Sequence, residues 1–200
     1  MHKALLSIGL LLIYSLSIHF GVLSGHPLPA LLVLAALISI PLLDRRRWWL
    51  LPLVPLILYL VWSTHSAGAL LLLPPVLINL AMALIFGSTL LPGATPLITQ
   101  FSRILKGTLD TKALRYTRRI TLAWVVFFTL MALESVLLAL YAPPWVWSLF
   151  TNFLNYLFLL LFFLVEYALR VRLFPEQEHP GFIPFIRSLT KVDPRCIKTF

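Results

Sequence analysis

The positively charged residues of this chain are confined to four short segments, and long hydrophobic runs separate those segments. Residues 1–3, 44–48, 87–119 and 170–200 hold one, three, six and six of the 16 Lys and Arg residues. The three turns at the opposite ends of the runs hold none. Membrane proteins keep Lys and Arg on the cytoplasmic side of the bilayer. The partition therefore predicts six transmembrane helices with both termini in the cytoplasm.

The composition supports a membrane protein. Hydrophobic residues make up 60% of the chain and charged residues only 12%, whereas soluble domains have about twice that charged fraction. A net charge of +9 would suit a nucleic-acid partner, but its confinement between hydrophobic runs argues against one. We expect a single all-α domain over residues 1–200 in a bacterial inner membrane. Its predicted spans are residues 4–23, 28–43, 48–62, 69–86, 120–141 and 145–169.

A basic connector, residues 87–119, joins the fourth and fifth predicted spans. Five apolar residues within 96–106 recur at helical spacing beside Arg103 and Lys106, which is typical of an amphipathic helix in the headgroup layer. Gly107 is expected to end that helix, and Asp110 or Thr111 to cap the next one. The five apolar residues are Leu97, Ile98, Phe101, Ile104 and Leu105.

Four arginines of the connector are candidate binding residues for an anionic partner or a lipid headgroup. They are Arg103, Arg115, Arg118 and Arg119. Arg grips carboxylates and phosphates with two parallel hydrogen bonds. The alternative is that the charges only fix topology and attract anionic lipid, at about 1 kcal/mol per residue.

Polar residues inside the predicted spans form a second candidate site, because ionisable groups there are costly and often functional. Glu134 and Asn152 each lie about 10 Å below the outer edge of the membrane, and Asn155 and Asn79 about 15 Å below it. They could line a ligand cavity, or they could join helices through hydrogen bonds of about 1 kcal/mol each. We expect Glu134 to be neutral or hydrogen-bonded.

One face of the sixth predicted span carries a polar stripe. At 100° per residue, Asn152, Asn155 and Glu166 fall on the same side of a regular helix together with Arg170. Glu166 and Arg170 also have the i,i+4 spacing of a helical ion pair.

The sequence contains no catalytic or cofactor-binding motif that we recognise. Walker, G-x-G-x-x-G, H-E-x-x-H and G-x-S-x-G patterns are all missing. The five His residues have no zinc-like spacing on one helix, and the single cysteine is Cys196. We therefore predict no catalytic residue, no metal site and no cofactor. His19, His26 and His65 are expected near the outer membrane edge.

Two segments carry a resemblance to a known family: F-G-S-T-L-L-P-G-A-T-P-L-I-T-Q-F-S-R (Phe86–Arg103) and R-Y-T-R-R-I-T-L-A-W-V-V-F-F (Arg115–Phe128). The chain resembles uncharacterised bacterial inner-membrane proteins encoded beside genes for aryl-polyene and xanthomonadin-type pigment lipids. Arg118–Phe128 and Trp145–Phe150 are also faintly similar to intracellular septation protein A. The first resemblance implies a context of cell-envelope lipid or polyketide assembly, with acyl chains on an acidic carrier protein.

Three hypotheses follow for the function. The first is a non-catalytic accessory protein that organises an acidic acyl carrier protein or envelope-assembly enzymes through Arg103–Arg119. The second is a small lipid transporter or flippase, which would need to form a homodimer because six spans are few for one protomer. The third, a membrane transferase, is disfavoured because the basic groups are cytoplasmic while Glu134 lies in the outer half of the membrane.

Overall fold

The computed structural model describes residues 2–26, 28–42, 51–56 and 67–175. The expected all-helical class is confirmed for this part of the chain, which contains no strand. Most of the predicted third span and most of the C-terminal tail lie outside the described residues. The helices are α1 (His2–Ser24), α2 (Leu28–Leu42), α3 (Ala67–Ser88), α4 (Leu97–Lys106), α5 (Thr111–Tyr141), α6 (Pro144–Leu149) and α7 (Asn155–Leu173).

Among the described residues, three helical stretches are long and apolar enough to cross a membrane: Leu71–Ser88, Thr111–Tyr141 and Pro144–Leu173. Only 11% to 17% of the residues in their most apolar windows are buried within the protein. Many large apolar side chains are instead exposed, including Leu84 at 64% and Leu140 at 68%. Apolar surface on this scale is characteristic of a membrane-facing protein. Leu12–Gly21 and Leu28–Leu37 are shorter apolar helical stretches.

The chain forms two compact units, each built from two segments. The first unit comprises Met1–Val76 and Glu134–Tyr156, and the second comprises Leu77–Leu133 and Leu157–Phe200. The boundaries between the segments fall within α3, α5 and α7.

The first unit has a small apolar core where α1, α2 and α6 pack together. Its buried residues come from four parts of the chain: Ile18, Ala30, Leu31, Leu71 and Trp147. Ile18 is fully buried and Trp147 is 1% exposed. A sharp turn at Gly25, which has φ 69°, connects α1 to α2. This positive φ is easily adopted by glycine because it has no Cβ.

The second unit has an aromatic core centred on Trp124 of α5. The Trp124 ring lies 5.8 Å from Phe86, 5.4 Å from Phe128 and 4.6 Å from Phe162, measured between ring centroids. These residues join α3, α5 and α7 within the unit. Aromatic pairs at such distances add to stability beyond the area that they bury.

Two helix ends that the sequence indicated in the connector, at Gly107 and at Asp110, are present in the structure. Gly107 ends α4 with φ 77°, and its N–H donates to the Arg103 carbonyl oxygen. Asp110 caps α5, because its Oδ1 accepts the Ala113 N–H at 2.8 Å. Helix α5 therefore begins at Thr111 and runs without a break through the basic connector into the fifth predicted span.

The sixth predicted span is not one regular α-helix. Residues Phe150–Leu154 form a π-helical turn between α6 and α7. Thr151 Oγ1 donates to the Trp147 carbonyl oxygen at 2.9 Å, and Asn152 Nδ2 donates to the Ser148 carbonyl oxygen at 3.0 Å. Such side-chain bonds compete with the regular backbone ladder. The polar stripe was predicted for a regular helix that turns 100° per residue. The π turn departs from that geometry, so the predicted alignment of Asn152 with Glu166 and Arg170 does not hold.

Candidate functional site

The connector helix α4 is tied to its neighbours by threonine side chains. Thr89 Oγ1 accepts the Leu97 N–H at 3.0 Å and donates to the Phe86 carbonyl oxygen at 2.7 Å. Thr121 Oγ1 accepts the Ile98 N–H at 3.3 Å. The first N–H groups of a helix have no partner within the helix. Thr121 of α5 and Thr89, which directly follows α3, therefore supply two of these partners.

The buried face of α4 packs against the protein. Thr99 Oγ1 and Thr117 Oγ1 form a buried hydrogen bond of 2.7 Å. Leu97, Ile98 and Phe101 pack into the aromatic core of the second unit. Of the other predicted apolar residues of this helix, Ile104 is exposed. Packing against α3 and α5 thus sets the orientation of α4 within this unit.

The four candidate arginines are all exposed. Arg118 Nη2 donates to the Leu90 carbonyl oxygen at 3.3 Å, just beyond the end of α3. Arg115 Nε makes a 3.4 Å bond to the Thr111 carbonyl oxygen of its own helix. Three- and four-residue spacing places Arg115, Arg118 and Arg119 on one side of α5. Within the described ranges, no carboxylate forms an ion pair with any of the four.

A separate polar cluster joins α5 to α7 in the second unit. Arg170 Nη2 lies 2.6 Å from Glu166 Oε2, so the predicted i,i+4 ion pair is confirmed. The Tyr116 hydroxyl donates to Glu166 Oε1 at 3.2 Å. Near the end of α7, Lys112 Nζ donates to the Leu173 carbonyl oxygen at 2.8 Å. These contacts favour a structural role for Glu166.

Two of the four predicted intramembrane residues come together in the first unit. Asn155 Nδ2 donates to Glu134 Oε2 at 3.3 Å, and the Ser135 hydroxyl reaches the same oxygen at 3.4 Å. Asn152 does not join this pair through a hydrogen bond, because its Nδ2 bonds to Ser148 and Thr151 of its own helical segment. Asn79 lies on α3 in the second unit.

A partly buried contact that the sequence did not reveal joins α1 to α6. His19 Nδ1 lies 3.0 Å from Ser148 Oγ, and Ser148 is fully buried. Asn152 Nδ2 also donates to this hydroxyl oxygen at 3.2 Å. The sequence offered one indirect signal for this contact. Asn152 belongs to the predicted polar stripe, and Ser148 lies four residues before Asn152, on the same side of the helix. Of the other two histidines that were predicted near the outer membrane edge, His26 is exposed and His65 lies outside the described residues.

The described residues contain no group of three or more His, Cys, Asp or Glu side chains that could hold a metal ion. A shallow apolar groove of about 350 Å³ lies along the exposed side of α1, lined by Leu16, Phe20 and Pro29 among others.

None of the protein-family models, curated proteins or solved structures compared with this chain matches it. The resemblance stated above thus stays a prediction. The two segments that carry it have a structural role nonetheless. Phe86 from the first segment and Trp124 and Phe128 from the second form the aromatic core of the second unit.

Proposed function

We propose that this chain is a six-span inner-membrane protein that docks an acidic partner on its cytoplasmic side. The docking surface, here called the basic face, consists of Arg103, Arg115, Arg118 and Arg119. Both termini and α4 lie on the same, cytoplasmic side of the membrane in this proposal. The partner is an acidic acyl carrier protein of cell-envelope lipid or polyketide-lipid assembly, and the protein itself is not an enzyme.

The observation that carries this proposal is the exposure of all four arginines, with none paired to a carboxylate among the described residues. An arginine already held by a carboxylate would lose that pair on binding a partner. Within the described structure, no such ion pair would be lost at Arg115, Arg118 and Arg119. These three arginines extend from one side of α5. Such an arrangement complements an acidic surface and speeds its encounter with the protein.

The rigidity of the surrounding helices also supports docking. Thr89 and Thr121 bond to the backbone of α4, and Asp110 caps α5. Arg118 is itself tethered to Leu90. A surface held in place loses less conformational entropy when a partner binds. Arginines that only determined the membrane topology would not need helices held in place in this way.

The proposal is tested by charge reversal at single exposed positions. Arg119→Glu is compared with Arg172→Glu, which makes the same change at an exposed arginine on α7. Binding of a purified acidic acyl carrier protein is measured by surface plasmon resonance on protein in nanodiscs of neutral lipid. We expect Arg119→Glu to weaken binding about tenfold, equivalent to about 1.4 kcal/mol, and Arg172→Glu to change it much less.

Two further measurements separate the alternatives. Arg115→Glu combined with Arg119→Glu should weaken binding further, because both charges face the same partner. Equal binding by Arg119→Glu and the unaltered protein would refute carrier docking at this face. Association of the unaltered protein with anionic vesicles but not with carrier protein would instead support the lipid interpretation of the charges.

A further inference from the structure

In the Glu134–Asn155 pair of the first unit, only one side-chain polar atom of each residue has a hydrogen-bond partner in the described structure. Both hydrogen-bond donors near Glu134, the Asn155 amide and the Ser135 hydroxyl, reach the same oxygen, Oε2. Glu134 Oε1 and Asn155 Oδ1 are both buried and have no hydrogen-bond partner in the described structure. Buried polar atoms in native proteins nearly always have a partner. These two oxygens therefore point to a partner that the described side chains do not supply.

The chemistry of the two atoms limits what that partner can be. A carboxylate oxygen and an amide oxygen accept hydrogen bonds or coordinate cations, and they repel other acceptors. An anion or a bare carbonyl group is therefore excluded. Carboxylate and carbonyl oxygens are also the ligands that hard cations prefer. A partner of these oxygens must be a hydrogen-bond donor or a positive ion.

The charge balance of the first unit favours a positive ion. Glu134 is the only carboxylate in its described segments, which contain no Arg and a single Lys, Lys3 at the beginning of α1. The remaining titratable groups there are His2, Tyr14, His19, His26, Tyr141 and Tyr156. An unpaired carboxylate is strongly disfavoured within a membrane. Its charge is balanced most simply by a small ion that arrives from solution.

The local backbone is also unusual at this point. Asn155 begins α7 directly after the π turn, and its N–H bonds to the Phe150 carbonyl oxygen. Single π turns inside α-helices are frequent at functional sites. Three more buried polar atoms of the first unit lack partners in the described structure: Tyr14 OH, Ser15 Oγ and Trp147 Nε1. Ser15 is only 1% exposed. Buried polar groups of this kind are the groups to which water binds when it enters a protein interior.

We propose that Glu134 and Asn155 form an intramembrane site for an exchangeable monovalent cation, either a proton or Na⁺. A proton would bind to Glu134 Oε1 and turn it into a donor. Na⁺ would be held by Glu134 Oε1 and Asn155 Oδ1 together. The site is independent of the basic face, so docking and cation binding can fail separately.

Dicyclohexylcarbodiimide provides a direct test, because this apolar reagent enters membranes and modifies protonated carboxyl groups. The protein in liposomes is treated over a pH series in choline buffer or in sodium buffer, and modification of Glu134 is followed by mass spectrometry. We expect modification in choline buffer that slows about tenfold for each pH unit above its midpoint, as for a single titrating group. Glu166, paired with Arg170, is the internal control and should remain largely unmodified.

The two ions give different results, and either one supports the site. Sodium protects Glu134 at constant pH if Na⁺ binds, and it has no effect beyond that of choline if only a proton binds. Asn155→Leu should abolish sodium protection or shift the pH midpoint, whereas Asn152→Leu should do neither. Glu134 that stays unmodified at every pH in choline, yet reacts after unfolding in detergent, would overturn the proposal. Modification that depends on neither pH nor Na⁺ would overturn it as well.

Discussion

Neutralising Glu166 should destabilise the second unit, and the structure sets the size of the effect. Glu166→Gln keeps the side-chain shape and an acceptor for the Tyr116 hydroxyl, so the main loss is the charge facing Arg170. Breaking one side of a fully buried ion pair costs about 3–5 kcal/mol, whereas an exposed pair contributes about 0.2–1 kcal/mol. The side chain of Glu166 is 7% exposed and that of Arg170 is 19% exposed. We therefore expect an intermediate loss of about 2 kcal/mol.

The assay is reversible unfolding in mixed micelles with increasing SDS, followed by tryptophan fluorescence. Trp124 lies in the aromatic core of the same unit, so its emission should report on this packing. A double-mutant cycle with Arg170→Met isolates the interaction between the two side chains. The double variant should be more stable than the sum of the single effects predicts, by about 1–2 kcal/mol, since neither buried group is then left charged alone.

Arg172→Gln is the matched control for this cycle. It removes a charge of the same sign from the same helix, at an exposed position, and should change stability by less than about 0.5 kcal/mol. The reasoning is refuted if Glu166→Gln and Arg172→Gln have equal effects. It is equally refuted if the Glu166 and Arg170 substitutions are simply additive.

Two further predictions concern the helices that hold the basic face, and both use the same unfolding assay. Asp110→Ala removes the cap of α5 and should lower the free energy of unfolding by about 1 kcal/mol. Thr108→Ala, at an exposed position before the helix, should lower it little. Equal losses in the two variants would count against the cap. Thr121→Val deprives the Ile98 N–H of its partner and should cost about 1–3 kcal/mol. Thr129→Val is its control, because among the described residues the Thr129 hydroxyl bonds to the Val125 carbonyl oxygen of its own helix and to no other helix. A similar loss there would contradict the proposed tether.

Local features of this chain could be predicted from its sequence. Hydrophobic run length and composition indicated helices that can cross a membrane, and the described part of the chain contains three such stretches. Gly107 and Asp110 marked helix ends because their chemistry acts on backbone groups only a few residues away. The Glu166–Arg170 pair followed from i,i+4 spacing for the same reason. Each of these predictions depends on neighbours in sequence, so the helical repeat alone was sufficient.

Contacts between distant parts of the chain were decided by the tertiary structure. His19 and Ser148 are 129 residues apart, and nothing in either local sequence identifies the other. Glu134 was matched in depth with Asn152 but bonds to Asn155, since the π turn shifts the register of the helix at that point. Thr89 and Thr121 hold α4 against the protein, although its amphipathic pattern alone indicated a lipid surface. A helical pattern determines which side of a helix is apolar or polar, whereas the packing of the other helices determines what that side contacts.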